Sequence, residues 1–327
     1  MKIRPYLDGD EAGILNLDRA VEEHPWNRRD LSNWVWKYRG PNPAGSPLIY
    51  VAENDGEIVA HFAIMPMRYR IDGQTVLGSH SLAMMVTPAW QNRGLIKFVA
   101  DKLLADAVEA GLAFTYGYPN DNAYDLHLKL LGYEDVCRQQ LWQRELASGE
   151  ASKGEAPNIG LDWREITVFS AEAEALFSRT EPRLGAAVLR DAAFLNWRYL
   201  ARPDVRYFAF GAYRGAELAG YCVLKLYQEG SLLRGHFLDI LAVADDDEAG
   251  GFLLDMGLDF FRSKGCGEVN LWMQGSPFIC GLLARRDFRT VSSRPFICRF
   301  NRDKGYFQPR LTDKNWYFTM GDTFEIY

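Results

Sequence analysis

The sequence contains few cysteines and does not space them for pairing or for metal binding. Only 5 of its 327 residues are cysteine, and no C-x-x-C motif occurs. Disulfide frameworks are usually dense and even in number, so this spacing favours reduced thiols and a cytoplasmic location. We expect no metal site.

The chain has no excess of positive charge and no long apolar run. Its net charge of −6 argues against a nucleic-acid groove and an anionic membrane surface, because both require a basic field. No segment approaches the roughly 18 apolar residues that span a bilayer. The opening MKIRPYLDGDEAG also lacks the apolar core of a signal peptide. We therefore predict neither nucleic acid nor membrane as a partner.

Several hydrolase and nucleotide-binding signatures are missing too. The motifs HExxH, GxSxG and GxxxxGK[ST] do not occur, which leaves zinc protease, serine hydrolase and P-loop functions without support. The composition, 48% hydrophobic and 24% charged, is typical of a globular protein, and the length suits two domains.

Strand and helix signals alternate along the chain and then begin again. The polar, glycine-bearing segment ASGEASKGEAPNIG, residues 147–160, predicts a linker. After it we expect a helical region from Ser170 to Leu200 and then a series of strands. The tail, residues 306–327, is predicted to pack back on the core.

Three short matches indicate an internal repeat. WKY at Trp36–Tyr38 recurs as WRY at Trp197–Tyr199, and two further pairs follow in the same order, all separated by 155 to 161 positions. The two pairs are AENDGEIVA with AYRGAELAG and LGY with RDF. A duplicated mixed α/β unit explains the order better than chance. The predicted domains are residues 1–146 and 161–305.

The segment VTPAWQNRGLIKFVADKLL, beginning at Val86, joins a glycine loop to a helix with apolar i, i+3, i+4 spacing. Amides at a helix entrance lack acceptors, and the helix dipole is positive there, so a pyrophosphate fits. At Gly94 a Cβ would keep phosphate oxygens from the backbone, and Arg93 adds a positive charge. A plain strand-to-helix turn is the alternative.

This segment resembles motif A of the GNAT superfamily of acyl-CoA-dependent N-acyltransferases. In that motif, a strand and V-x-P lead to (Q/R)-x-x-G-x-(G/A) and a helix. The chain matches at Gln91 and Gly94, whereas Ile96 replaces the usual small residue. The resemblance covers roughly residues 1–146 and, with the repeat, implies two GNAT-like domains. Each would be a mixed, mostly antiparallel sheet flanked by helices, in the α/β (mixed α+β) class.

The resemblance also implies how acetyl-CoA binds as co-substrate. The strand edge at Met84, Met85 and Val86 would hydrogen-bond the pantetheine arm. A backbone amide near Met85 or Val86 would polarise the thioester carbonyl. The remaining cofactor residues implied are Gln91, Asn92, Arg93, Gly94, Leu95, Ile96 and Asn120.

Family enzymes often place a tyrosine acid four residues before the glycine of LGF, but here that position is Leu128. The neighbouring candidates for the acid are Tyr124 and His127. For the base we consider His80, which lies on the same face of its strand as Val86 unless a bulge intervenes. His61 lies on the neighbouring strand.

The second half differs at the position equivalent to the phosphate loop. Four consecutive acids, from Asp245 to Glu248, precede Gly250 and Gly251, which read as a relic of a loop or as a hinge. Carboxylates repel a pyrophosphate, so this half is predicted not to bind acyl-CoA.

The sequence thus predicts an N-acetyltransferase that transfers acetyl to a primary amine of a small molecule or amino sugar by direct attack. A non-catalytic acyl-CoA-binding sensor or scaffold is the alternative. A peptidoglycan-type aminoacyl transferase is a third, and a homodimer remains open.

Overall fold

The computed structural model describes residues 1–21, 30–146, 160–312 and 315–324. The predicted linker, apart from Gly160, lies outside these residues, so that prediction stays untested. The first half contains the following elements: β1 (Lys2–Pro5), α1 (Glu11–Val21), α2 (Leu31–Arg39), β2 (Leu48–Asn54), β3 (Glu57–Ile71), β4 (Gln74–Val86), α3 (Leu95–Glu109), β5 (Phe114–Gly117), α4 (Asp121–Leu130) and β6 (Glu134–Glu145).

The second half repeats this order, with one strand added between its first two helices and a helix and a strand added at its end. Its elements are β7 (Asp162–Glu165), α5 (Ala171–Thr180), β8 (Ala186–Val188), α6 (Ala192–Leu195), β9 (Tyr207–Arg214), β10 (Glu217–Glu229), β11 (Leu232–Ala242), α7 (Asp247–Ser263), β12 (Glu268–Gln274), α8 (Pro277–Ala284), β13 (Arg289–Phe300), α9 (Lys304–Phe307) and β14 (Trp316–Thr319). The expected helical region from Ser170 to Leu200 was wrong in its middle, because β8 interrupts it.

The strands of the two halves form one continuous sheet in the order β1-β2-β3-β4-β5-β13-β6-β12-β11-β10-β9-β7. Most neighbours are antiparallel, and β4–β5 and β11–β12 are parallel pairs. The mixed α/β fold class and the repeated unit are confirmed. The sheets of the two units are, however, joined rather than separate.

The join is a reciprocal exchange of strands. The late strand β13 pairs with β5 of the first half, and β6 pairs with β12 of the second half. Between the exchanged strands, Gln139 pairs with Arg294 and Arg138 with Pro295. Residues 156 positions apart therefore occupy equivalent places around a local twofold axis. This offset lies within the range of 155 to 161 positions that the sequence matches gave. Neither half completes its sheet alone.

The C-terminal strand β14 closes a ring of strands. It pairs with β12 and with β8, and β8 pairs with β3, so the pairings return to β3 through β4, β5, β13 and β6. Aromatic side chains fill this ring, and their neighbouring ring centroids are about 5 to 6 Å apart. They are Tyr69, Phe114, Tyr116, Phe296, Trp316 and Phe318.

The two faces of the first half's sheet carry different helices. Leu82 and Met85 of β4 pack with α1 and α2, whereas Met84 and Val86 pack with α3. We call these the α1–α2 face and the α3 face; α4 also lies on the α3 face through Leu128. No helix among the described residues is long and apolar enough to cross a membrane.

Candidate active site

Strands β4 and β5 separate soon after they pair. Their parallel register covers Ser79 with Thr115 and His80 with Tyr116. In the part of the chain that the structure describes, residues 81–86 of β4 pair with β3 only. The opposite edge at Met84, Met85 and Val86 therefore exposes backbone donors and acceptors, which is the edge that the sequence assigned to pantetheine.

A β-bulge shapes this edge. His61 pairs with Met85 and Ala63 with Leu82, so two residues of β4 face the single Phe62 of β3. The bulged residue Ala83 has a φ of +44°, a left-handed conformation that is unfavourable for a residue with a Cβ. A bulge shifts the alternation of side chains by one residue. This bulge is the condition that the sequence prediction for His80 left open.

The loop before α3 presents unpaired backbone donors. Gly94 precedes the helix with a φ of +73°, and Asn92 is also left-handed, with a φ of +59°. The amides of residues 93–96 make no backbone hydrogen bond within the described part of the chain. The first turn of α3 contains no acidic residue. Together with the helix dipole, these amides form an entrance suited to an anion.

Side chains of the loop support the backbone rather than block it. The Gln91 amide donates to the Val86 carbonyl over 3.0 Å, which ties the loop to the end of β4. The Arg93 guanidinium lies 5.2 Å from the centre of the Trp90 ring. Leu95 and Ile96 point into the core under α3. The larger side chain that Ile96 carries in place of the usual small residue therefore lies away from the entrance.

Helix α4 begins beside the same gap. The Asn120 side chain accepts from the Ala123 amide over 2.9 Å and so acts as its N-cap. The structure thus shows the chain-turning role of Asn120; its contact with the cofactor stays a prediction. The Tyr124 hydroxyl donates to the Asp135 carboxylate, and this bond raises the pKa of Tyr124.

His127 lies on the buried side of α4. Its Nδ1 is 2.7 Å from the Ala123 carbonyl, and its ring meets the Tyr133 ring edge-on at 4.9 Å. Burial lowers its pKa. Tyr124 is therefore the more accessible of the two acid candidates.

His80 lies in the aromatic core, on the opposite face from Val86. Its ring stacks on Tyr116 at 4.8 Å, and its Nδ1 has no hydrogen-bond partner within the described residues. Burial lowers its pKa to about 3. The expected shared face was wrong because the bulge intervenes. A histidine with this pKa is neutral at pH 7 and is a weak base.

The second half shows how the equivalent entrance can be closed. Helix α7 begins at Asp247, and the Asp246 carboxylate accepts from the Ala249 amide over 2.9 Å. Burial alone would raise the pKa of Asp246, but its bonds to Arg214 and Ala249 lower it. Its own carboxylate thus occupies the position that an anion would take.

The acids at this entrance are paired with arginines. Arg214 bonds Asp246 and Glu248, Arg285 bonds Asp247, and Arg183 bonds Asp245. Repulsion of a pyrophosphate is therefore weaker than four bare acids would imply.

The two glycines of α7 are neither a loop relic nor a hinge. They lie within the helix, where a Cβ on Gly250 would come within 2.6 Å of Leu282, and one on Gly251 within 2.6 Å of Arg286. Gly250 lets α8 pack closely through Leu282 and Phe278, whereas the atom near Gly251 is the flexible end of the Arg286 side chain.

The tail crosses the gap between β11 and β12. Its strand β14 pairs with Met273 and Gln274 at the end of β12, while the Tyr317 hydroxyl donates to the Ile240 carbonyl of β11. Arg190 holds the tail through Asp322 at 2.9 Å and Asp239 at 3.1 Å, and all three side chains are buried. The protein's own chain thus takes the position of a ligand in the second half.

Comparison with known proteins identifies the first half. Residues 2–133 match the family model of the acetyltransferase (GNAT) domain. These residues form a GNAT domain. A search of curated proteins found no match.

Solved structures share the fold of the whole chain, including its second half. A GCN5-related N-acetyltransferase from Anabaena variabilis is 15% identical, with a TM-score of 0.69, over 92% of this chain and 73% of that one. A tandem GNAT protein from the clavulanic acid biosynthesis pathway is 15% identical, with a TM-score of 0.63, over 92% and 98%. N-myristoyltransferase of Saccharomyces cerevisiae, solved with bound myristoyl-CoA, is 11% identical, with a TM-score of 0.62, over 92% and 82%.

The GNAT family supports acyl transfer from acyl-CoA as the chemistry of this domain. No group of three or more potential metal-ligating side chains (His, Cys, Asp or Glu) was found among the described residues.

Proposed function

We propose that the protein transfers an acetyl group from acetyl-CoA to a primary amine of a small molecule or an amino sugar. The observation that carries the proposal is the pair of features at one gap in the sheet: the exposed edge of β4 and the donor-rich entrance of α3. A thioester and a pyrophosphate need these two environments at the two ends of one cofactor arm.

The pyrophosphate would bind the amides of residues 93–96, with Arg93 adding a charge and Gln91 and Asn92 holding the loop. Pantetheine would lie along Met84, Met85 and Val86, and Asn120 would flank it. The amine would attack the thioester carbonyl directly. Tyr124 is the acid that we favour for the departing thiolate, because it lies on the α3 face. His127 is the other candidate for the acid. His80 is a weaker candidate for the base, because it is buried on the opposite face.

Titration calorimetry with acetyl-CoA, followed by thiol release over a panel of small primary amines and amino sugars, tests this proposal. We expect one molecule bound per chain, and thiol release with at least one amine. Binding without release would favour the sensor or scaffold function. Absence of binding would exclude both functions, and transfer from charged tRNA would indicate the aminoacyl transferase.

The location and assembly are also proposals. The described cysteines are free thiols, which supports a cytoplasmic location, and cell fractionation tests it. The acceptor is the partner that we propose, without nucleic acid or membrane. Light scattering would show whether the chain is a monomer or a homodimer.

A further inference from the structure

The bulge of β4 brings a histidine to a narrow cavity between the sheet and the helices α1 and α2. We propose that His61 is the general base that takes the proton from the acceptor's ammonium group. This assignment rests on the acyl transfer proposed above and names a residue of its acceptor side.

The bulge fixes the chemical state of the His61 ring. Nδ1 lies 2.7 Å from the Ala83 carbonyl oxygen, and a carbonyl can only accept, so Nδ1 carries the hydrogen. In the neutral ring the lone pair is then on Nε2, the atom that can receive a proton. The same bond holds the carbonyl of the left-handed residue Ala83. One hydrogen bond therefore orients the base and stabilises the bulge.

The cavity beside His61 is small, and the surface that lines it is mostly apolar, with a few polar side chains at its wall. Its lining includes Asp18, Trp34, Lys37 and Met85, and its volume of about 20 Å³ holds roughly one water molecule or an amine head group. The indole Nε1 of Trp34 is buried and has no hydrogen-bond partner in the described chain. A buried donor without an acceptor is costly, and an oxygen atom of a bound acceptor or a water would satisfy it.

The position of His61 suits attack on a thioester at the edge of β4. His61 is the direct pairing neighbour of Met85, and an amide near Met85 is the proposed oxyanion donor. His61 faces the α1–α2 side, whereas Tyr124 packs on the α3 side. The amine can thus approach from one face while the thiolate departs on the other.

The step balances without a further reactant. One ammonium proton moves to His61 Nε2, and the freed amine lone pair forms the C–N bond at the thioester carbonyl. The C–S bond then breaks, and the sulfur leaves with its electron pair and takes a proton from Tyr124 or from water. The amide nitrogen loses its second proton to solvent. His61 is fully buried, so it releases its proton through the water that the cavity can hold.

The test compares two nucleophiles in the wild type and in His61→Asn. The asparagine amide can replace the Nδ1 donor to Ala83 but cannot accept the proton. With the best alkylamine of the panel, we expect kcat to fall about 100- to 10,000-fold, while the Kd of acetyl-CoA from calorimetry stays within about threefold. Hydroxylamine is largely unprotonated near neutral pH, so its rate should fall less than about tenfold.

His61→Gln serves as the matched control, because its amide reaches toward the Nε2 position and loses the Ala83 bond. We expect it to lower the rate with both nucleophiles. Equal losses with both nucleophiles in His61→Asn would overturn the assignment and leave a structural role. Full activity of that variant with the alkylamine would also overturn it. Failure of the wild type with every amine would instead defeat the proposed transferase.

Discussion

The entrances of α3 and α7 occupy equivalent positions in the two halves and differ in what satisfies their amides. At α3, Gly94 is left-handed, and no acid stands in the first turn. At α7, Asp246 caps the helix with its own carboxylate. The same strand-to-helix connection is thus available to an external anion in one half and filled by an internal one in the other.

The gaps between the parallel strands differ in the same way. The edge of β4 beyond His80 pairs only with β3 among the described residues. In the second half, β14 and Tyr317 cross from β12 to β11. A duplicated unit has therefore kept its architecture while the protein's own groups closed one of its two clefts.

The largest effect is expected where the tail is held in the second cleft. Arg190→Met would leave Asp239 and Asp322 buried together without their cation, and breaking such a pair costs about 3–5 kcal/mol. Denaturant unfolding measures this loss. Arg183→Met is the control, since the exposed pair of Arg183 with Asp245 contributes at most about 1 kcal/mol. Equal losses of stability in the two variants would show that the ion pairs of Arg190 do not hold the tail.

A carboxylate placed at the entrance of α3, as in the second half, should weaken the binding of acetyl-CoA. We expect Gly94→Asp to bind acetyl-CoA roughly 100-fold more weakly than Gly94→Asn, because the side chains have one shape and differ in charge. Asparagine and aspartate both tolerate a left-handed backbone, so the comparison removes the strain term. Calorimetry at two salt concentrations measures the difference in affinity between the two variants, and this difference should shrink at high salt. Equal affinities would place the pyrophosphate elsewhere.

A third expectation concerns two histidines at equivalent strand positions, His80 and His236. Burial lowers the pKa of each to about 3, whereas an unfolded histidine titrates near about 6.5. Between these values the unfolded state binds more protons, so stability falls as pH falls through this window. Each of these histidines should lower the free energy of unfolding by about 2 kcal/mol at pH 5 relative to pH 7.5.

Urea unfolding of the wild type and of His80→Gln at the two pH values tests this linkage. The change in unfolding free energy between the two pH values should be smaller in the variant by the contribution of one histidine, even if the variant is less stable at both pH values. An unchanged slope would mean that His80 is solvated in the folded state.

Much of the first half was predictable because its signals are local. The helix spacing after Leu95, the turn at Asp55-Gly56 and the repeat all depend on neighbouring residues, and the structure contains them. The exchange of β6 and β13 depends on contacts between residues far apart in the sequence, and no local pattern specifies such a pairing. The bulge at Ala83 was not predictable because its sequence, LAMMV, is an uninterrupted apolar run that contains no glycine or other local bulge signal. His61 was therefore noticed without a role.

The acids of the second half show that the sequence alone does not reveal which charges are paired. Four consecutive carboxylates suggested repulsion, but Arg183, Arg214 and Arg285 come from distant segments to pair with them. Charge runs are readable in a sequence, whereas their counter-ions are set by the tertiary fold.

The smallest effect separates repulsion from obstruction as the reason that the second cleft excludes a cofactor. Neutralising all four acids, with Asn at positions 245, 246 and 247 and Gln at 248, should leave stability within about 1 kcal/mol, because Asn caps a helix nearly as well as Asp. If the tail is the obstruction, calorimetry should still find one acetyl-CoA per chain, since Tyr317 keeps its bond to the Ile240 carbonyl. A second bound molecule would mean that charge alone had closed the entrance and that the tail gives way.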